Sequence, residues 1–370
     1  MEPGNLVGTT LAGCRLVASI ARGSMGEVFR GIHLALQRSV AVKIIPVGAR
    51  EKVDVESLLL EARALAKIEQ PNIVRVYDVG VQEGLFYIVM QFLEGKTLKE
   101  RFDDSGALPE GELYSVSGGI ARGLGAMHSR GLIHRDLKME NILVTHEGQA
   151  VIMDFGLVRD PGSKDEYQGC IVGTPPYIPP ELWQGKPADA RSDLYSFGVI
   201  FYTLLSGVYP FRAKSPMDYQ ELHLNTAAKN PAQINSSVDD NLAAVAMKLM
   251  AKLPARRYAS VEEFLRDLDL CRRGDTPEAL KSTGRKVKCA FCEAVMPANL
   301  PKCTVCGSAL GSSGEIGLKT GGNEVPCPAC GRPRERRSRV CPHCRKGICG
   351  NCLKKLVSRD GLCDDCLAIR

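Results

Sequence analysis

The sequence predicts an α+β protein in two unequal parts, a large domain with its own core followed by small modules closed by metal. Three observations predict it. The first 280 residues contain β-branched apolar runs and helical apolar stripes in alternation. The 370-residue chain is 44% hydrophobic, enough for a sizeable core. Of its 15 cysteines, only Cys14, Cys170 and Cys271 precede Cys289, so 12 crowd into the last 82 residues.

Charge divides at the same place. Residues 281–370 hold 17 Lys+Arg against 7 Asp+Glu, whereas residues 1–280 hold 31 against 35. The boundary is expected in "CRRGDTPEALKSTGRK", a polar run with Gly, Pro, Ser and Thr and no apolar periodicity. The start, "MEPGNLVGTTLAGCRLV", lacks the basic and apolar regions of a signal peptide. The longest apolar stretch, "LYSFGVIFYTLLSGVYPF", is interrupted by Ser196, Gly198, Thr203, Ser206 and Gly207, so no transmembrane segment is expected. A soluble, cytoplasmic protein is the expectation.

The elements follow in order. "IARGSMGEV", Ile20 to Val28, reads as strand, glycine-rich turn, strand. "SVAVKII" is a strand carrying Lys43 at its centre, and a lysine inside such a run needs a partner. "VESLLLEARALAKI" places Val55, Leu58, Leu59, Ala62, Leu65 and Ala66 on one helical stripe, with Glu61 at its border, able to lean toward Lys43. Then come "YIVMQFL" at 87–93, "LIHRDLKMENILV" at 132–144, "VIMDFGLV" at 151–158 and "GTPPYIPPE" at 173–181.

In this order and spacing, the motifs of residues 14–270 resemble the eukaryotic-type protein kinases, and most the bacterial serine/threonine branch. The resemblance implies a bilobal kinase fold and transfer of the γ-phosphoryl of Mg·ATP to a serine or threonine hydroxyl of a protein. Phosphoryl transfer asks a protein mainly for positioning and charge neutralisation. By resemblance, Lys43, held by Glu61, clamps the α- and β-phosphates under Gly23 and Gly26. Asn141 and Asp154 ligate Mg²⁺, which prefers oxygen ligands. Asp136 accepts the substrate proton and Lys138 neutralises the γ-phosphate. Ile20, Val28, Ala41 and Leu143 enclose the adenine, beside Met90 as gatekeeper, with Gln91 and Leu93 offering backbone hydrogen bonds. Arg257 pairs with Glu181, and Asp193 ties the catalytic loop to the helix behind it. Arg135 implies a site for a phosphate on the activation segment, for which Ser163 is a better candidate than Tyr167; Thr174 is expected on the catalytic loop instead.

Three departures bear on activity. Ala21 stands where the first glycine of G-x-G-x-x-G is usual, Met139 replaces a proline, and Pro179 replaces an alanine. Alanine matters only if that position needs φ > 0. Because Lys43, Asp136 and Asp154 are all present, an active enzyme is expected; the alternative is a nucleotide-binding pseudokinase scaffold whose tail makes the working contacts.

The 12 late cysteines form six C-x-x-C pairs: Cys289 with Cys292, Cys303 with Cys306, Cys327 with Cys330, Cys341 with Cys344, Cys349 with Cys352, and Cys363 with Cys366. Such pairs suit tetrahedral thiolate sites, so three Zn²⁺ are expected rather than disulfides. From Lys281 onward Phe291 is the one aromatic residue, and no core forms there without metal. The expected organisation is a kinase domain at 14–270, a linker at 271–286, a zinc ribbon at 287–310, a Gly/Ser-rich linker at 311–325 and a double-zinc module at 326–370. The first two pairs, Cys289 and Cys292 with Cys303 and Cys306, are expected to close the ribbon. The last four pairs either interleave, in a cross-brace resembling FYVE and RING domains, or form two consecutive ribbons; the four residues between Cys344 and Cys349 favour the cross-brace. With no tryptophan in the tail and one aromatic, a protein partner is expected rather than lipid or nucleic acid.

Overall fold

The computed structural model describes residues 6–23, 26–47, 55–153 and 173–283, and four short strands at 286–288, 295–297, 324–326 and 333–335. Asp154, Ser163 and Tyr167 lie outside the described residues, as does the side chain of Glu61. So do all the expected zinc ligands: Cys289, Cys292, Cys303 and Cys306 of the ribbon, and Cys327, Cys330, Cys341, Cys344, Cys349, Cys352, Cys363 and Cys366 of the double-zinc module. Among the described residues, no group of three or more His, Cys, Asp or Glu is arranged to hold a metal ion.

The chain opens with strands β1 (Thr10–Leu11), β2 (Cys14–Gly23), β3 (Gly26–His33) and β4 (Arg38–Pro46), then helix α1 (Val55–Ala66) and strands β5 (Val76–Gln82) and β6 (Leu85–Gln91). They form one antiparallel sheet in the order β1-β2-β3-β4-β6-β5. The two-residue period of β4 gives its sides different chemistry. Val40, Val42 and Ile44 pack with Leu16, Phe29, Leu85 and Val89, each at most 8% exposed. At roughly 1.5–3 kcal/mol per fully buried side chain, this layer holds the sheet together. The other side carries Ala41 and Lys43, and the register brings Val28 and Ile88 beside Lys43 and Met90 beside Ala41.

The second, mainly helical part begins with strand β7 (Gly95–Thr97), helices α2 (Leu98–Ser105) and α3 (Glu110–His128), and strands β8 (Ile142–Thr145) and β9 (Ala150–Ile152). Thr97 caps α2 through a reciprocal bond set with Glu100. Helices α4 (Pro180–Trp183), α5 (Ala190–Ser206), α6 (Pro216–Asn225), α7 (Asp240–Leu249) and α8 (Val261–Arg273) follow. Helix α5 is the core: from Ser192 to Ser206 every residue is buried. This is where the interrupted apolar stretch went, and Gly198 is one of the interruptions because a Cβ there would sit 2.7 Å from Leu249 Cβ of α7. No helix among the described residues is long and apolar enough to cross a membrane. The two parts are joined through Asn72–Val74: Ile152 donates its N–H to the Asn72 carbonyl, and Val74 donates to that of Ile152, each at 2.9 Å.

The packed helical unit runs past residue 270, the expected end of the large domain. That residue lies inside α8, and helix α9 (Glu278–Thr283) follows with Ala279 fully buried. The buried Asp267 carboxylate accepts from the backbone N–H groups of Glu278 and Ala279 and from Tyr258 Oη, all at 2.8 Å. Most of the polar run read as a linker is thus fastened to the domain. Beyond it, β10 (Lys286–Lys288) pairs with β11 (Val295–Pro297), and β12 (Glu324–Pro326) with β13 (Pro333–Glu335), both antiparallel.

Candidate active site

The catalytic-loop residues are assembled by one buried carboxylate. Asp193, on the first turn of α5 and 1% exposed, accepts from the backbone N–H of His134 at 2.9 Å and of Arg135 at 3.0 Å. His128 Nε2, from the end of α3, donates to it at 2.8 Å. Burial opposes the charge on Asp193, but its hydrogen bonds and nearby imidazoles prevail, and the carboxyl stays below its ordinary range. The grip has a purpose, because Arg135 sits at φ 66°, a conformation that a non-glycine residue reaches at a cost of roughly 1–3 kcal/mol. Held there, it turns the chain so that Asp136 emerges from the loop.

Asp136 is then fixed on both oxygens. Its Oδ1 accepts from Thr174 N at 3.0 Å and from Thr174 Oγ1 at 2.9 Å. Its Oδ2 lies 2.9 Å from Lys138 Nζ, which also donates to Thr174 Oγ1 at 3.0 Å. Thr174 therefore joins the segment before Glu181 to the catalytic loop. Asn141, 7% exposed, donates its amide nitrogen to the Asp136 carbonyl at 3.0 Å, leaving its amide oxygen as a hard ligand atom. Met139 is fully buried in the helical core, so the residue replacing proline serves as packing. Pro179 caps the short helix α4, where its carbonyl accepts from Leu182 and Trp183.

On the sheet, Lys43 is 5% exposed and Ala41 7%, and both share a face with Val28 and Met90. Leu143 on β8 is 9% exposed and Leu93 half-buried, while Ile20 is 49% exposed. The Gln91 N–H is committed to the Arg75 carbonyl at 2.8 Å, so only its carbonyl is left to offer a ligand. The glycines of the hairpin differ in their reasons. Gly26 adopts φ 156°, and a Cβ there would come within 2.2 Å of the Ile44 carbonyl oxygen. Gly23 has nothing closer than 3.9 Å. Ala21 pairs with Val28 at negative φ, so alanine fits without strain. Ala21→Gly is accordingly expected to change turnover by less than about tenfold, measured as kcat with saturating Mg·ATP.

Farther back, Arg257 donates from Nη1 and Nη2 to the two carboxylate oxygens of Glu181, both at 2.7 Å, with Ser192 Oγ adding a 2.8 Å bond. Sequence reasoning anticipated this pair and the Asp193 contact. It missed the exchange among Ser19, Arg22 and Glu27, since no spacing rule announces it.

The protein kinase domain family matches residues 15–267. Curated relatives agree. One from Clostridium perfringens, named "Probable serine/threonine-protein kinase CPE1738", is 34% identical over 288 residues, covering 77% of this chain and 42% of that protein. The serine/threonine-protein kinase PknB of Mycobacterium leprae is 34% identical over 266 residues, covering 70% and 43%. "Probable serine/threonine-protein kinase PknB" of Bifidobacterium longum is 35% identical over 287 residues, covering 73% and 41%. The chain spans less than half the length of the relatives it matches. With that match over most of the chain, and the catalytic loop, strand lysine and buried ion pair in place, the chain belongs to the protein kinase family.

Proposed function

We propose that the chain is an ATP-dependent serine/threonine protein kinase, with Asp136 as proton acceptor. The observation that carries this reading is the state of Asp136: its carboxylate is braced by Thr174 and Lys138 and its carbonyl by Asn141. Such bracing spends structure on one half-buried carboxylate, which a scaffold would not need. The residues fit Mg·ATP. A buried lysine faces the side of the sheet that carries Val28 and Met90, and the amide oxygen of Asn141, whose nitrogen is the atom bound to the loop, suits with Asp154 a hard divalent cation. Bound Mg²⁺ would supply neutralisation of the phosphate charge. Lys43 would orient the α- and β-phosphates and Lys138 the γ-phosphate, while Asp136 takes the proton of a serine or threonine hydroxyl. Ile20, Val28, Ala41 and Leu143 would exclude water from the base.

Lys43→Met tests the reading. Incubated with Mg·ATP and a generic basic protein, the wild type is expected to incorporate phosphate and the variant none above background. Equal incorporation by both would sink the enzyme reading and restore the scaffold.

The tail is read as three zinc sites that recruit a protein partner, in the reducing cytoplasm where thiolates persist. Two described hairpins support it. In β10–β11 the register sets Lys288 opposite Val295, and in β12–β13 it sets Pro326 opposite Pro333. In both, six residues join the strands and the cysteines stand first and fourth, Cys289 and Cys292 in one, Cys327 and Cys330 in the other. Each C-x-x-C is followed after ten residues by a second, Cys303 with Cys306 and Cys341 with Cys344. One unit used twice favours consecutive ribbons over the interleaved cross-brace. Elemental analysis of the full chain is expected to give three zinc per molecule, from four thiolates each. Replacing Cys349, Cys352, Cys363 and Cys366 together by serine should leave two zinc if the ribbons are consecutive, and one if they interleave.

A further inference from the structure

The hairpin β2–β3 is not regular. Ser19 pairs with Phe29 and Ala21 with Val28, so Ile20 is an extra residue on β2, a bulge in the strand. Two residues from the bulge, paired with Arg22, stands Glu27, a carboxylate 5% exposed although the β2 residues from Val17 to Gly23 are all exposed. Its Oε1 accepts from Ser19 Oγ at 2.5 Å, on one side of the bulge. Its Oε2 accepts from Arg22 Nη2 at 2.9 Å and Nε at 3.3 Å, on the other side. The Ser19 hydroxyl first, and then Arg22, hold the carboxyl below the usual carboxylate range, so it stays ionised at neutral pH.

A bulge left to itself can slide or straighten, and a one-residue slip turns every side chain beyond it to the other face. In this hairpin that would turn Ile20 away and change the pitch of the strand leading to Gly23. Gly26 cannot adjust in compensation, because it is wedged against the Ile44 carbonyl. The position of the hairpin therefore depends on β2, which is irregular at Val17 and at Ile20, and the irregularity nearer the glycines is fixed by one carboxylate.

We infer that Glu27, bridging Ser19 and Arg22 across the Ile20 bulge, is a positioning residue for the nucleotide, setting the glycine-rich hairpin at the height that Mg·ATP requires. The inference rests on reading β2–β3 as the nucleotide cover. It assigns Arg22 and Ser19 a shared task and explains why Ala21 is tolerated: the bend is held by side chains instead of by a glycine.

Calorimetric titration of the full-length chain with Mg·ATP decides the matter independently of turnover. Glu27→Ala is expected to weaken the dissociation constant about tenfold, and to raise KM for ATP to the same degree while kcat and KM for the protein substrate stay near wild type. Glu27→Gln, which keeps an acceptor oxygen for Ser19, should fall between. A merely structural role would lower the melting temperature without this split between KM and kcat. Should Glu27→Ala not fold, Ser19→Ala and Arg22→Ala take its place, each expected to weaken Mg·ATP binding about threefold. Mg·ATP affinity unchanged within about twofold in the alanine variants overturns the inference. A wild type that binds Mg·ATP and transfers no phosphate would overturn the kinase reading, with the role of Glu27 still decided by the binding data.

Discussion

Asp136→Asn is expected to lower kcat by on the order of 10²–10⁴, the range carried by a positioned general base, or about 2.7–5.5 kcal/mol of barrier. The asparagine is the same size and its amide oxygen can still accept both bonds from Thr174. Its amide nitrogen would instead face Lys138 Nζ, where Oδ2 now lies 2.9 Å away, placing donor against donor. The substitution thus removes the proton acceptor and displaces the cation beside it, while the loop backbone, donating to the Asp193 carboxylate and accepting from the Asn141 amide, stays in place. Steady-state kinetics should show kcat falling with KM for ATP little changed, since Asp136 does not hold the nucleotide in the proposed mechanism. Thermal melting should place the variant close to wild type. A rate within threefold of wild type would remove Asp136 from the chemistry. Thr174→Val, which deletes one of the bonds from Thr174 and leaves the carboxylate, is expected to cost less than Asp136→Asn.

Much of this site was legible because its residues are fixed by short-range pattern. Lys43 lies in a run whose alternation predicts one apolar face, and the register places Val28, Ala41 and Met90 with it. Asp136, Lys138 and Asn141 are separated by one and two residues, so one turn of loop must bring them close. Contacts that depend on backbone conformation were not legible. Nothing in the letters says that Arg135 occupies φ 66° or that Ala21 does not need a positive φ. The glycine motif places Gly26 over the phosphates by resemblance, yet nothing in it says that Ile44 of the neighbouring strand already forbids a side chain there. The polar run at 271–286 hid helix α9 because its anchoring comes from Asp267, and a short helix with one fully buried alanine leaves no apolar stripe to read.

Arg257→Met is expected to destabilise the protein by about 3–5 kcal/mol, the cost of stranding one member of a buried ion pair, and to lower Tm by roughly 10 °C for a domain of this size. The guanidinium is fully buried and holds more than Glu181. It also donates to the carbonyls of Ala251, Arg191 and Lys252 and lies over the Tyr195 ring at 4.7 Å. Methionine fills similar space but satisfies none of these acceptors, and Glu181, 6% exposed, is left with Ser192. Burial raises the Glu181 carboxyl and the Arg257 pair overcomes it, so in the wild type the group sits below its ordinary 4.5. A depressed carboxylate contributes stability that is complete above the unfolded value and is lost as pH falls through the folded one. The gap in Tm between wild type and Arg257→Met should therefore be full at pH 7 and narrow as the pH is taken below about 4.5. A gap that is constant with pH would mean that lost packing, not the stranded charge, sets the cost. Replacing both partners, Glu181→Leu with Arg257→Met, should recover part of the loss, because no buried charge then remains unpaired. The damage should also reach the active site: α4 begins six residues after Thr174, and Ser196 of α5 holds the intervening Tyr177 carbonyl at 2.9 Å, so freeing Glu181 loosens the segment that braces Asp136.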